Sequence, residues 1–183
     1  MYRERLDDDV ELAFPLVSDA QPLFELVDRE RERLRVWLSW PDNVRSADDQ
    51  RAFLSGARKD AAAGRCYPHL IRVEGSPAGL LALEVDEFGA VGEVGYWLGS
   101  RYEGRGIVTR GVSAVLERAF GRLGLHRVEI KVAPDNVRSR AVPQRLGFTR
   151  EGVLREAQRT SDGDYRDLEL WSVLATEWPQ PLP

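Results

Sequence analysis

Apolar residues recur along this chain at two spacings, and the points where one spacing gives way to the other mark its elements. Residues 10–16 (VELAFPL) read as a short first strand. Ser18 can cap a helix running to about residue 30, in which Pro22 is tolerated because it falls in the first turn. RERERLRVWLSW continues as a second helical piece that must end before Pro41, because the residue ahead of a proline is pushed out of the helical region. Ser46 then caps a helix over SADDQRAFLSGARKDAAA, with Asp48 and Asp49 at its electropositive start and Gly64 at its end. Three strand runs follow, CYPHLIRV, AGLLALEV and AVGEVGYWLG, joined by the turns EGSP and DEFG, so the centre of the chain is expected to be an antiparallel meander.

Beyond residue 100 strands and helices alternate. Val108, Val112, Val115, Leu116, Ala119, Phe120 and Leu123 share one helical face, which predicts a packed helix from near Arg105 to Gly124. RVEIKV alternates as a half-buried strand should, and Asn136 can cap a short helix, NVRSRAVPQRL, closed by Gly147. The strands FTREGVL and DLELWSVLATEW complete the pattern. No repeat, linker or composition break divides it. The expectation is one α+β domain over residues 1–183, a mixed sheet with helices on both faces.

The stretch RYEGRGIVTRG places Gly104 and Gly106 two residues apart at the entrance of the predicted long helix. A dinucleotide fingerprint, G-x-G-x-x-G, fails because Thr109 stands where the third glycine belongs. A Walker loop fails because Val112 stands where the phosphate-binding lysine belongs. What remains is R-x-x-G-x-G at a helix start, bare amides at the positive end of a macrodipole flanked by Arg101 and Arg105, an arrangement suited to phosphate or pyrophosphate. Taken alone, it is also an ordinary strand-to-helix turn.

Composition narrows the chemistry. At 183 residues the chain can bury roughly 70% of its unfolded surface without a metal or disulfide. One cysteine, Cys66, and two histidines, His69 and His126, exclude a disulfide framework and a multi-cysteine zinc site, and no metal is expected. A formal net charge of -4 and a pI near 5.4 argue against a general nucleic-acid binder and favour cationic or amine-bearing partners. The charged start MYRERLDDDV and the lack of any apolar run near ~20 residues point to a soluble, cytoplasmic protein with no membrane partner.

The order of these features, R-x-x-G-x-G after GEVGYWLG, then a helix, HRVEIKV, N-x-x-S and LGF, resembles the coenzyme A-binding half of the GNAT superfamily of N-acetyltransferases. More narrowly, RLRVWLSWP, GYWLGSRYEGRGIVTRGV, FGRLGLHRVEIKVAPDNVRSRAVPQRLGFTREGVLRE and GDYRDLELWSVL resemble the RimJ/RimL branch, the ribosomal-protein amino-terminal acetyltransferases, over residues 10–178. The resemblance implies the GNAT fold, a mixed, mostly antiparallel sheet with a splayed strand pair for acetyl-CoA, and a cofactor-binding half at about residues 90–150. It implies that Arg101, Gly104, Arg105, Gly106 and Thr109 cradle the pyrophosphate. The backbone of Tyr96, Trp97 and Leu98 would hold the pantetheine and acetyl carbonyl. Asn136 and Ser139 would contact the cofactor, Ser139 facing the sulfur, while Asn136 also serves as helix cap. The implied partners are acetyl-CoA, an amine acceptor such as a ribosomal-protein amino terminus, and a second copy of the chain in a homodimer.

Two departures from that pattern bear on catalysis. Pro143 deletes a hydrogen bond from the short helix, which is expected to kink or split. Gln158 stands where some members of the branch carry a glutamate proposed as general base, and an amide cannot take a proton. Glu93 is the replacement that the resemblance offers, and a solvated strand carboxylate is an equal reading of it. Trp37, Trp40 and Gln158 are candidate acceptor contacts, with Trp37 and Trp40 also fitting core packing at a helix end. An α-amine of pKa about 8 is roughly 10% neutral at pH 7, at a cost of about 1.4 kcal/mol, whereas a lysine amine costs about 4.6 kcal/mol, so a site with a weak base favours the α-amine. Two other functions stay open: acetylation of a small-molecule or aminoacyl-nucleotide amine in resistance or detoxification, and a non-catalytic acyl-CoA-binding protein.

Overall fold

A computed structural model describes residues 3–86 and 90–178. Eight strands form one sheet: β1 (Arg3–Arg5), β2 (Val10–Ala13), β3 (Cys66–Val73), β4 (Ser76–Asp86), β5 (Val91–Leu98), β6 (Arg127–Val132), β7 (Thr149–Arg159) and β8 (Tyr165–Leu174), in the order β1-β2-β3-β4-β5-β6-β8-β7. Every neighbouring pair is antiparallel except β5 and β6. Four helices, α1 (Ala20–Leu34), α2 (Ala47–Ala62), α3 (Ile107–Gly121) and α4 (Val137–Arg145), complete the α+β fold.

Strand alternation sends successive side chains to opposite faces, and each face collects its own helices. Leu70 and Leu80 pack with Leu23, Leu26 and Leu54 of α1 and α2. Ile71, Leu81, Val94, Val128 and Ile130 pack with Val112, Val115, Leu116 and Ala119 of α3 on the other side. His69 is buried on β3, where loss of solvent and then the nearby Arg118 charge push its imidazole down to about 4. Burial, with Glu84 and Asp60 nearby, pushes the Cys66 thiol up to about 11, which leaves it protonated at neutral pH.

Several boundaries differ from the sequence expectation. The two expected helical pieces are the single helix α1, which follows a 3-10 turn at Val17–Asp19 rather than a Ser18 cap. The first expected strand ends at Ala13, ahead of Pro15, and a further strand, β1, precedes it. The strand β7 runs on to Arg159, and β8 starts at Tyr165 and gives way to a 3-10 turn at Ala175–Glu177. The expected DEFG turn lies partly outside the described residues. α4 is not split, because Pro143 sits near its carboxyl end and interrupts only the bond to Ser139.

Candidate active site

β5 and β6 pair only over Val91–Glu93 with Arg127–Glu129. Beyond that point the two parallel strands separate, and the β6-facing edge of β5 from Val94 to Leu98 has no strand partner. An extended amide-bearing ligand fits such an edge, because unpaired backbone donors and acceptors there need partners. Tyr96, Trp97 and Leu98 all lie on this stretch.

The chain then makes a 3-10 turn at Ser100–Tyr102 and enters α3 through two left-handed glycines, Gly104 at φ 75° and Gly106 at φ 68°. A Cβ on Gly106 would also come 3.2 Å from Arg110 Nη1, whereas the space beside Gly104 is open. Both glycines are therefore required by backbone conformation first. Gly106 caps α3 without a side-chain hydrogen bond, and the first turn, which contains Thr109, holds no acid. The first amides of α3 thus keep their positive potential for a ligand. Arg101 and Arg105 are exposed on this loop, and neither is in an ion pair among the described residues.

A hydrogen-bond network behind the loop fixes its position. Glu30 of α1 accepts from the Ser100 backbone (3.2 Å), the Ser100 hydroxyl (2.9 Å) and Arg33 Nε (2.8 Å). Burial alone would raise the Glu30 carboxyl, and these donors outweigh it and hold the group low. Arg33 also donates to the Leu98 carbonyl (2.5 Å) and to Glu103 (2.7 Å), and Glu103 pairs in turn with Arg138 on α4. One chain of charges thereby joins α1, the end of β5, the glycine loop and the start of α4.

On α4, Asn136 accepts from the Ser139 amide at 3.2 Å, so its capping role is present. The Ser139 hydroxyl donates to the Tyr96 phenol oxygen (3.1 Å), and Tyr96 donates to the Ser139 carbonyl (2.9 Å). Ser139 therefore stands at the splay, held by a tyrosine of the splayed strand.

Glu93 and Trp97 point to the opposite face. The Glu93 carboxylate is 2.7 Å from Lys131 Nζ across the strand gap, and this contact, through its hydrogen bond first, raises the Lys131 ammonium above its ordinary range. Glu93 is thus an ion-paired carboxylate, 43% exposed at its side chain. Trp40, in the loop after α1, packs against Trp97 with ring centroids 5.9 Å apart. Trp37 lies under the Arg166 guanidinium (5.3 Å), and Arg166 is the register partner of Gln158. The tip of the β7–β8 hairpin docks on this loop through Ser161, which donates to the Arg35 carbonyl at 2.8 Å. The structure thus brings Trp40 to the splayed strand and gathers Trp37 and Gln158 at the hairpin.

Sequence reasoning missed Lys131, Arg33, Glu103 and the Tyr96 side chain. Strict alternation in RVEIKV put Glu129 and Lys131 on one face, which was the only available sign of a cation beside Glu93. Nothing local pairs Arg33 with Glu103, seventy residues away.

An unpaired strand edge thus leads into an uncapped, glycine-entered helix, an arrangement with room for an extended ligand that ends in an anionic group. Residues 11–149 match the acetyltransferase (GNAT) domain model, and the chain belongs to that family. It is 32% identical, over 97% of its length and 98% of the relative's, to "Putative ribosomal N-acetyltransferase YdaF" of Bacillus subtilis (strain 168). It is 27% identical to the ribosomal-protein-serine acetyltransferase of Escherichia coli (strain K12), covering 92% and 94% of the two chains. Among solved structures, RimL, a ribosomal alpha-N-protein acetyltransferase in complex with coenzyme A, superposes with a TM-score of 0.90 at 27% identity, covering 94% of this chain and 98% of that one. This chain is an N-acetyltransferase of the RimJ/RimL-like kind, with acetyl-CoA as cosubstrate. No described helix is long and apolar enough to cross a membrane, and no group of three or more potential metal ligands occurs among the described residues.

Proposed function

We propose that this enzyme transfers an acetyl group to the α-amine of a protein amino terminus, a ribosomal protein being the class its relatives act on. The observation that carries the reading is the splayed β5–β6 pair running into the uncapped start of α3. The amides between Arg101 and Gly106, with the first turn of α3 including Thr109, hold the pyrophosphate, and Arg101 and Arg105 add charge. Tyr96, Trp97 and Leu98 hold the pantetheine by their backbone, and Asn136 and Ser139 stand at its end. Acetyl-CoA supplies an activated acyl group whose carbonyl carbon the amine attacks.

The protein's own task is then to place a neutral amine and to accommodate charge as it develops. Trp40 and Trp97 form an apolar wall on the acceptor side, with Trp37 and Gln158 at the hairpin bordering it. Glu93, ion-paired with Lys131, takes the proton of the amine directly or through water. Such a base suffices for an α-amine, which needs about 3 kcal/mol less help than a lysine at pH 7. Glu93→Gln is expected to shift the rise of activity to higher pH, and Gln158→Glu to raise activity below pH 7. The enzyme acts in the cytoplasm, where its acceptors are made. Exposed Val153, Leu154 and Tyr165 on the β7–β8 hairpin (41%, 37% and 62%) support a homodimer, and a Leu154→Glu chain that sediments like wild type would remove that support.

The test is purified protein with acetyl-CoA and peptides beginning with serine, alanine or methionine beside small amines, followed by free-thiol release and product mass. Turnover on the peptides supports the reading. Turnover confined to small amines, or binding with no turnover, defeats it.

A further inference from the structure

We propose that Tyr96 is the positioning residue for Ser139, anchored through the one helix carbonyl that Pro143 leaves without a helical donor. The proposal rests on the transferase reading above.

In an α-helix each carbonyl accepts from the amide four residues on. The residue four beyond Ser139 is Pro143, which has no N–H, so the Ser139 carbonyl lacks its helical partner. Tyr96 occupies that vacancy from the neighbouring strand, donating to the carbonyl at 2.9 Å. The same phenol oxygen accepts from the Ser139 hydroxyl at 3.1 Å. With Asn136 on the Ser139 amide, all three polar groups of Ser139 are held, two of them by Tyr96. Such a grip from a strand to a helix across the splay sets where the hydroxyl lies. A proline that looks like a defect in α4 is what opens the carbonyl to Tyr96.

The arrangement also gives Ser139 somewhere to put its hydrogen. At rest the Ser139 proton points to Tyr96. As the new C–N bond forms, the C–S bond breaks and its electron pair leaves with the sulfur, while the proton of the amine passes to Glu93 or solvent. Ser139 then turns its O–H toward the developing negative charge. Tyr96 follows by turning its own O–H from the Ser139 carbonyl to the Ser139 oxygen, which replaces the lost contact and polarises the serine. Neither hydroxyl gives up its proton. Burial pushes the Tyr96 phenol up to about 12, well above a thiol near 8.5, so transfer to sulfur would be uphill and the pair acts by hydrogen bonding alone.

Two cycles test this. In the kinetic cycle, Tyr96→Phe should lower kcat about tenfold with the KM for acetyl-CoA nearly unchanged, as loss of one hydrogen bond specific to the transition state would. Combining it with Ser139→Ala should cost no more than Ser139→Ala alone, because Tyr96 acts through Ser139. In the stability cycle, read by Tm without cofactor or turnover, Tyr96→Phe should cost about 3 °C. In a Pro143→Ala background, which restores an N–H to the carbonyl, it should cost less than half of that. A tyrosine that merely filled space would give multiplicative kcat losses with Ser139→Ala and equal Tm losses with and without Pro143. Multiplicative kcat losses in an active wild-type enzyme overturn the proposal and leave the transferase reading intact. Failure of that reading shows earlier and separately, as coenzyme A binding by wild type without turnover of any amine.

Discussion

Helices α2 and α3 begin in opposite ways. The start of α2 is closed: Ser46 accepts from the Asp49 amide at 3.2 Å, and Asp48 and Asp49 lie in its first turn. The start of α3 is open, entered through a left-handed glycine with no side-chain cap and no first-turn acid. Free amides and an unbalanced dipole cost stability; α2 and α4 meet this with the side-chain caps Ser46 and Asn136, and α1 continues from the 3-10 turn at Val17–Asp19, whereas α3 is entered through left-handed glycine. The difference teaches where the proposed cofactor fits. At α2 the sequence completes the helix with its own side chains, and at α3 the proposed pyrophosphate would complete it from outside.

The comparison breaks most visibly at Gly106. Gly106→Val places a β-branched residue at φ 68° and beside Arg110, and should weaken coenzyme A by about a hundredfold, roughly the loss of two charge-assisted hydrogen bonds, measured by titration calorimetry on folded protein. Unchanged affinity would place the pyrophosphate elsewhere. Thr109→Glu sharpens the contrast by giving α3 what α2 has. An acid in its first turn should raise stability by about 0.3–1 kcal/mol while weakening coenzyme A by about tenfold, so that affinity and stability move in opposite directions.

Acidification sets the conditions for these measurements. The His69 imidazole is held down to about 4 in the folded protein, against 6.5 for the free group, so the unfolded chain takes up the proton first as pH falls. Stability is complete above about pH 7, should drop by roughly 1 kcal/mol by pH 5.5 and level off below pH 4, measured by urea unfolding. His69→Phe should flatten that window. The α2 start, away from the proposed site, gives the smallest effect on binding: Ser46→Ala should cost about 1 kcal/mol of stability and leave coenzyme A affinity unchanged.

The same contrast explains what was legible in the sequence. Features written in a few consecutive residues were readable: the Ser46 and Asn136 caps, the glycine pair, the strand runs of the meander, and the motif order that carried the resemblance. At Gly104 the space is open, and its φ of 75° is what demands glycine there. Features made by distant residues were not readable. Lys131 meets Glu93 only because β5 and β6 run parallel there, and Arg33 reaches Leu98 and Glu103 only after α1 lies on the sheet. Pro143 was recognised as a break, but the partner that takes the freed carbonyl came from β5. The proposed acceptor side is of this second kind throughout, drawn from the loop after α1, β5 and the β7–β8 hairpin.

The central claim is transfer of acetyl to an α-amine, and one peptide can test it. A peptide with a free amino-terminal serine and an internal lysine, incubated with the enzyme and acetyl-CoA at pH 7.5, is mapped by tandem mass spectrometry beside an amino-terminally blocked copy. The account predicts a single acetyl on the serine α-amine and an unmodified blocked peptide. Acetylation of the lysine in both peptides, or no acetylation of either by protein that binds coenzyme A, would contradict it.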